Sequence, residues 1–410
     1  MKKVLKLRCS SICECDGQQE KQFVKVTFQN YKDGYKDDGS EIFIYRRETP
    51  EYVFDYDEEE YFDCIDPPTE DELIFKGHLP DLNTFAEYDD KTAKVGHVYA
   101  YWVGKGEIGE AISGPVAIKM RDSRVWWSYE KINQKIDSLA SRYSTVEVRE
   151  IGRTPFDKPI KAVICGNREN IIACVGAVHA GESGPEILLT MLDEILGENI
   201  NTFKDCGIAI VPVVNADMRE EMVKGAPWYI RKNSRGVDLN RNFDADWELI
   251  DYSYGLSSAD YKSPTYRGPY PNSEPETKAL IKFVEAVKPK AVFSYHYLCS
   301  ICTDRLISYG GAANDGCYIK SLKEIANVYS QAFRHTIGVK PANITKIDLI
   351  CSAGSFIAWL YKRGIYAFDI EMNSDLEHLF NCRRDNSTKE ALDLAINGHK
   401  ASILNIINFF

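Results

Sequence analysis

The stretch "GAVHAGESGPE" (176–186) sets His179 three residues before Glu182, where an apolar run gives way to an expected helix. A histidine and a glutamate at this spacing, across a strand-to-helix turn, can face one point. A distant histidine would complete a set of two imidazoles and one carboxylate. That is the ligand set of a catalytic zinc ion, with the fourth position left to water. His296 ends "AVFSYH" and Glu371 ends "GIYAFDIE", so both stand at strand ends as His179 does. H-x-x-E by itself does not specify a metal site, because a satisfied polar residue at a strand end gives the same pattern. That plainer reading is kept for His335, His378 and His399, in helical or loop contexts, and for His78 and His97, which have no acidic pattern nearby.

Between these residues runs "YIRKNSRGVDLNRNFDADW" (229–247). Asn240 and Arg241 offer a planar fork and an extra donor, a clamp for a carboxylate. Arg231 can reach a developing oxyanion. Alone, the stretch reads as a polar surface loop. Ser183 and Glu186 form a Ser-x-x-Glu pattern that would start the next helix. The C-x-x-C of "CSIC" (299–302) and the cysteines of "CSSICEC" (9–15) are taken as core or rim thiols, because neither has a second ligand cluster.

The elements that must position these residues begin near residue 125. Tyr129, Ile132, Ile136, Leu139 and Tyr143 fall on one helical face. After them "KAVICG", "IIACVGAVH", "GIAIVPVV", "AVFSYH" and "GIYAFDIE" read as buried strands. Helical patterns at 184–196, 274–287, 319–334, 353–362 and from 388 onward separate several of them. Buried strands alternating with helices predict an α/β fold, a mixed, mostly parallel sheet flanked by helices. Sites on such sheets lie beyond the carboxyl ends of the strands. The first 120 residues instead carry short β-rich runs at 23–28, 41–47, 97–103 and 114–120, which predict a small all-β sandwich. Its ending resembles the last strands of a fibronectin type III domain. The acidic run "DYDEEEYFD" (55–63) is expected to be solvated. Residues 1–120 hold 25 acidic and 15 basic residues, against 36 and 35 in the remainder, which supports two domains, 1–122 and 123–410.

The net charge of −11 argues against nucleic-acid binding, which needs a basic face. No apolar run approaches the ~20 residues of a membrane span. The first residues lack the pattern of a secretory signal, so a cytoplasmic location with free thiols among the 12 cysteines is expected.

The order H-x-x-E (179–182), R-K-x-x-R (231–235), "GVDLNRNF" (236–243), "SYH" (294–296) and "FDIE" (368–371) resembles the zinc metallocarboxypeptidases related to pancreatic carboxypeptidase A. The resemblance covers roughly 127–410, and "YRGPYPNSEPET" (266–277) also looks like a family segment. It implies one zinc ion held by His179, Glu182 and His296, with Glu371 as general base. It further implies Arg231 at the scissile carbonyl and oxyanion, and Asn240 and Arg241 on the terminal carboxylate of a peptide substrate. Some bacterial members cut the γ-D-glutamyl bond to a diamino acid in cell-wall peptides, and that endopeptidase or amidase activity is the alternative. A binding protein without turnover is disfavoured because every ligand and the base are present.

Three positions depart from the family pattern. Gly181 stands where many relatives have an arginine, Leu349 or Ile350 where many have a mobile tyrosine, and "VVNADM" (213–218) where an Asn-Pro-Asp-Gly turn is usual. The side-chain pocket is read near Ser355, Phe356, Ile357 and Ala358, where no acid awaits a basic side chain. The role and the partner of the β domain are open.

Overall fold

The computed structural model describes the chain apart from residues 1–3, 17–18, 30–38, 50–65, 80–84, 107–111, 183, 225–229, 250–256, 297–303, 339–346, 351–352 and 373–388. The acidic run 55–63, "CSIC", Ser183 and His378 lie outside the described residues. The chain divides into one compact unit, Met1–Trp126 with Glu221–Tyr229, and another, Trp127–Glu220 with Ile230–Phe410.

The first unit carries β1 (Leu5–Asp16), β2 (Gln19–Gln29), β3 (Ile42–Glu48), β4 (Leu73–Gly77), β5 (Ala86–Asp90), β6 (Val98–Lys105) and β7 (Ser113–Lys119). They form two antiparallel sheets, β1-β2-β5 and β4-β3-β6-β7. Alternation does the work on β2: Val24, Val26 and Phe28 are buried, and they join Ile44, Tyr101, Val103 and Ile118 in one core between the sheets. On β3 and β6 the opposite face is buried too, through Phe43, Tyr45, Ala100 and Trp102. That is why "HVYAYWV" reads as a continuous apolar run. The strands absent from the sequence reading are the long β1 and also β4 and β5, which are five residues each and partly charged, too short for a period to register.

In the second unit β8 (Val146–Arg153), β9 (Pro159–Cys165), β10 (Ile171–Gly176), β11 (Gly207–Val211), β12 (Ala291–Tyr295), β13 (Asp304–Tyr309), β14 (Ile347–Ile350) and β15 (Tyr366–Met372) make one sheet, ordered β14-β13-β15-β12-β10-β11-β9-β8. Parallel pairs join β11, β10, β12 and β15 through the centre, and β13 to β14; the pairs β8/β9, β9/β11 and β13/β15 are antiparallel. The sheet is therefore mixed and mostly parallel, as expected. The helices are α1 (Tyr129–Arg142), α2 (Gly184–Glu198), α3 (Ala216–Val223), α4 (Pro275–Val287), α5 (Gly316–Thr336), α6 (Phe356–Tyr361) and α7 (Lys389–Phe409).

One sheet face packs Ala173, Val175, Val292 and Ala367 against Leu280 and Phe283 of α4 and Phe356–Leu360 of α6. On the other face Phe293 stacks between Phe368 and Tyr329 of α5. Both faces are covered, which is what strands apolar at every position require. Among the described residues no helix is long and apolar enough to cross a membrane.

One buried acid anchors the first unit. Asp90, 1% exposed, accepts from Arg46 Nη1 at 2.7 Å, Tyr101 Oη at 2.8 Å, and the amide and hydroxyl of Thr92. Burial pushes its carboxyl up, but the bonds from Thr92 and Tyr101 and the Arg46 charge outweigh that and hold it below the usual carboxylate range. A depressed folded pKa gives stability that is full above the unfolded value of about 3.9 and lost as pH falls through the folded one. Asp90→Asn is expected to cost about 2–3 kcal/mol at neutral pH. Its loss of stability below about pH 4 should be shallower than the wild type's, read by hydrogen exchange at β2 and β6 amides.

Candidate metal centre

The central strands deliver the reactive residues to one place. Gly176 on β10 is level with Tyr295 on β12, and Tyr295 with Ile370 on β15. His296 follows β12 directly and donates its amide to Ile370 O at 3.1 Å, one residue before Glu371. β10 has β11 on one side and β12 on the other, so the chain's direction of travel switches there and opens a crevice beyond the strand ends. His179 lies in that crevice. Two glycines let the turn fit: a Cβ on Gly184, at the start of α2, would lie 2.5 Å from Gly176 Cα, and one on Gly176 would lie 2.6 Å from Pro212 O. Ala177 between them takes φ +43°, a left-handed conformation that costs a non-glycine residue of order 1 kcal/mol.

A buried ion pair holds the turn from behind. The Arg219 guanidinium, fully buried, donates to the carbonyls of Ala180 (3.0 Å), Glu182 (2.7 Å) and Trp127 (3.0 Å), and to Glu186 Oε1. Glu186 in turn accepts from Trp127 N at 2.6 Å. The residue read in sequence as part of a helix cap thus serves as counter-ion to an arginine that clamps the backbone on both sides of Gly181.

The three expected ligands converge. His179, Glu182 and His296 are each at most 3% exposed, and one ligand atom from each lies within 4.8 Å of the others. Both imidazoles turn Nδ1 to the Glu182 carboxylate, His179 at 2.7 Å and His296 at 3.1 Å. Both turn Nε2 to another carboxylate, Asp238 at 3.1 Å and Asp369 at 3.3 Å. Carboxylates behind the outer ring nitrogens are the usual support of metal-binding histidines, since they fix the tautomer that leaves the inner lone pair for the metal. Burial would raise the Glu182 carboxyl, but the His179 and His296 imidazoles bring it down to about 2.

The remaining expected residues border this cluster. Arg231 Nε donates to Asp238 Oδ2 at 2.8 Å. The Asn240 carbonyl accepts from Phe356 N at the head of α6 (2.9 Å), which turns its amide nitrogen toward Asp369 Oδ2 at 3.4 Å. Arg241 is buried, donates to Asn240 O at 2.8 Å, and its charge helps depress Asp238. Glu371 is buried, and burial pushes its carboxyl up to about 8; His296 pulls it back, while Glu182 and Asp369 push it further. The stretch read as the side-chain pocket goes elsewhere. Ser355 caps α6, and Phe356, Ile357 and Ala358 are buried in the core, Phe356 stacked on Phe243.

The donor set suits a divalent cation. Glu182, Asp238, Asp369 and Glu371 bring four carboxylates, against the guanidiniums of Arg231 and Arg241. With all four ionised, these six side chains among the described residues carry two negative charges in excess, in a buried site where an uncompensated charge is costly. Protons on Glu371 and on His296 would make up the difference. Burial lowers the His296 pKa, but Glu182 and Asp369 override it and raise it well above the usual value. A dication among the two Nδ1 atoms and the Glu182 carboxylate would make it up equally. Two nitrogens and an oxygen are borderline ligands fit for zinc.

Sequence reasoning missed Asp238, Asp369, Arg219 and Glu186 in these roles. Asp238 was inside a quoted motif, and Asp369 precedes Glu371 by two, which on a strand puts both on one face. Those two were legible. The Arg219–Glu186 pair joins residues 33 apart and left no local signal.

Residues 132–394 match the protein family described as zinc carboxypeptidase. Human carboxypeptidase A6 is 33% identical over 277 residues, 60% of this chain and 60% of that protein. Rat carboxypeptidase A1 is 34% identical over 140 residues, 33% of this chain and 32% of that protein. The chain thus spans 60% or less of the length of these relatives. Bovine thrombin-activatable fibrinolysis inhibitor, solved in complex with tick carboxypeptidase inhibitor, shares the fold at TM-score 0.57 and 22% identity, over 70% of this chain and 97% of that one. A metallo-carboxypeptidase from Burkholderia cenocepacia aligns over 99% of this chain and 100% of its own, at TM-score 0.50 and 14% identity.

Removing Arg219 strands Glu186 in the interior. Arg219→Met should lower stability by about 3–5 kcal/mol in urea unfolding, and Glu186→Gln/Arg219→Met together should recover much of it.

Proposed function

The chain belongs to the zinc carboxypeptidase family, and on that premise we propose that it hydrolyses the last peptide bond of substrates ending in a free carboxylate. The observation that carries the reading is the meeting of His179, Glu182 and His296 at adjacent strand ends, with Glu371 on the next strand. A zinc ion held by these three residues supplies Lewis acidity and a water of lowered pKa.

The chain's own residues supply the rest. Glu371 takes a proton from the attacking water as the carbon–oxygen bond forms. It returns a proton to the amine nitrogen as the carbon–nitrogen bond breaks. Its buried setting raises its proton affinity above that of an ordinary carboxylate, which suits a group that takes and returns a proton. Arg231, its plane fixed by Asp238, meets the charge that develops on the carbonyl oxygen. Asn240 and Arg241, adjacent and buried, hold the terminal carboxylate, and the planar Arg241 fork suits it. Burial of the whole group excludes water and strengthens each of these interactions.

Glu371→Gln should lower kcat by about 10²–10⁴-fold on a peptide with a free carboxylate while zinc content stays at the wild-type level. Arg241→Ala should raise KM for that peptide, and the amidated peptide should be a poor substrate for the wild type. Equal turnover of amidated and free peptides by the wild type would overturn the exopeptidase reading.

A further inference from the structure

Asp369 has contacts that no role in the reaction accounts for. It sits on β15 two residues before Glu371, level with Ser294 of the parallel neighbour β12, and is 7% exposed. Ala367, Asp369 and Glu371 share a face, while Phe368 stacks on Phe293 beneath the sheet. An acid here is largely withdrawn from water. Its Oδ2 meets Asn240 Nδ2 at 3.4 Å. Its Oδ1 lies 3.3 Å from His296 Nε2, an ion-pair contact, and makes no hydrogen bond among the described residues. Ser294 Oγ also lies 3.0 Å from that nitrogen.

We propose that Asp369 is a positioning residue that ties the metal ligand His296 to the substrate-side residue Asn240. The case for the His296 half is electrostatic. A neutral imidazole carries one N–H. On Nδ1 it would point at Glu182 and leave a lone pair facing the Asp369 anion. On Nε2 it faces the Asp369 Oδ1 charge at 3.3 Å and turns the Nδ1 lone pair toward Glu182, where a metal needs it. A buried carboxylate oxygen left without a donor is costly, so Asp369 selects the second tautomer. Ser294 cannot select it, because a hydroxyl donates or accepts with equal ease.

The Asn240 half rests on its other end. The Phe356 amide occupies the Asn240 carbonyl at 2.9 Å, so the amide cannot flip, and its nitrogen is committed to the Asp369 side. Asp369 therefore has the Asn240 amide fixed at Oδ2 and the His296 ring nitrogen within ion-pair distance of Oδ1. Displacing Asn240 would let the carboxylate turn away from His296, and displacing Asp369 would loosen both. The assignment of Asn240 to the substrate rests on the proposed peptidase reading; the link to zinc does not.

The experiment is zinc affinity of the full chain by competition with a chromogenic chelator, for wild type, Asp369→Asn, Ser294→Ala, Asn240→Ala and Asp369→Asn/Asn240→Ala. Circular dichroism identifies folded variants, and Asp369→Ser replaces Asp369→Asn if the latter does not fold. Asp369→Asn should weaken zinc by about 10–100-fold, the range typical of residues behind a metal-bound histidine. Ser294→Ala should stay within about threefold. Asn240→Ala should weaken zinc by a smaller factor, and the double variant should be no worse than Asp369→Asn alone, because Asn240 acts through Asp369. An Asp369→Asn affinity within threefold of wild type, a larger loss in Ser294→Ala, or multiplicative losses in the double variant would each overturn the proposal. These readings need no turnover, so a wild type that binds zinc and cuts no peptide would reject the peptidase reading and leave this test intact.

Discussion

Four carboxylates buried around two imidazoles are the constraint on which the rest of the second unit depends. Anions withdrawn from water must be matched within hydrogen-bond distance, or the fold loses several kcal/mol for each. Each of the surrounding features answers that demand. Arg231 and Arg241 offset Asp238, the imidazoles offset Glu182, and Asp369 draws on His296 and Asn240. Among the described residues, the remaining difference is one that two protons or one divalent ion would supply. Catalytic potential and structural cost are here the same electrostatic fact.

The sheet makes this arrangement possible because parallel strands bring their carboxyl ends to one edge. β10, β12 and β15 are neighbours in space but separated along the chain, and their register sets His296 beside Glu371 with little freedom. The only ligand pair local in sequence, His179 and Glu182, needs the most backbone help. Two glycines allow close approach, an alanine takes a left-handed conformation, and Arg219 grips the flanking carbonyls. A ligand turn that departs from regular structure at every step is held by the elements packed against it, and that rigidity is what fixes ligand geometry before metal binds.

The first unit follows a different rule. Its sheets share one apolar core, and one of its buried acids, Asp90, is matched by an arginine, a tyrosine and a threonine within the same unit. Nothing in that set resembles a ligand cluster. The same physical requirement, matching buried charge, yields a structural lock at Asp90 and a reactive centre in the second unit.

The sequence by itself determined the α/β class of the second unit and most of its strands and helices, and its family resemblance pointed to His179, Glu182 and His296, which the fold brings together. Those features are local: buried strands are apolar runs, helices have a period, and H-x-x-E, "GVDLNRNF", "SYH" and "FDIE" are short. It also led to Arg231, Asn240, Arg241 and Glu371 as residue types. Tertiary structure alone decided that Phe356, Ile357 and Ala358 belong to the core rather than a pocket, because a short helix shows its buried face only when packed. It alone decided that Glu186 answers Arg219, and that Asp238 and Asp369 stand behind the two histidines. Charge pairing across a fold carries no periodicity and no fixed spacing. It appears only when strand order and register have placed the partners within about 3 Å of each other.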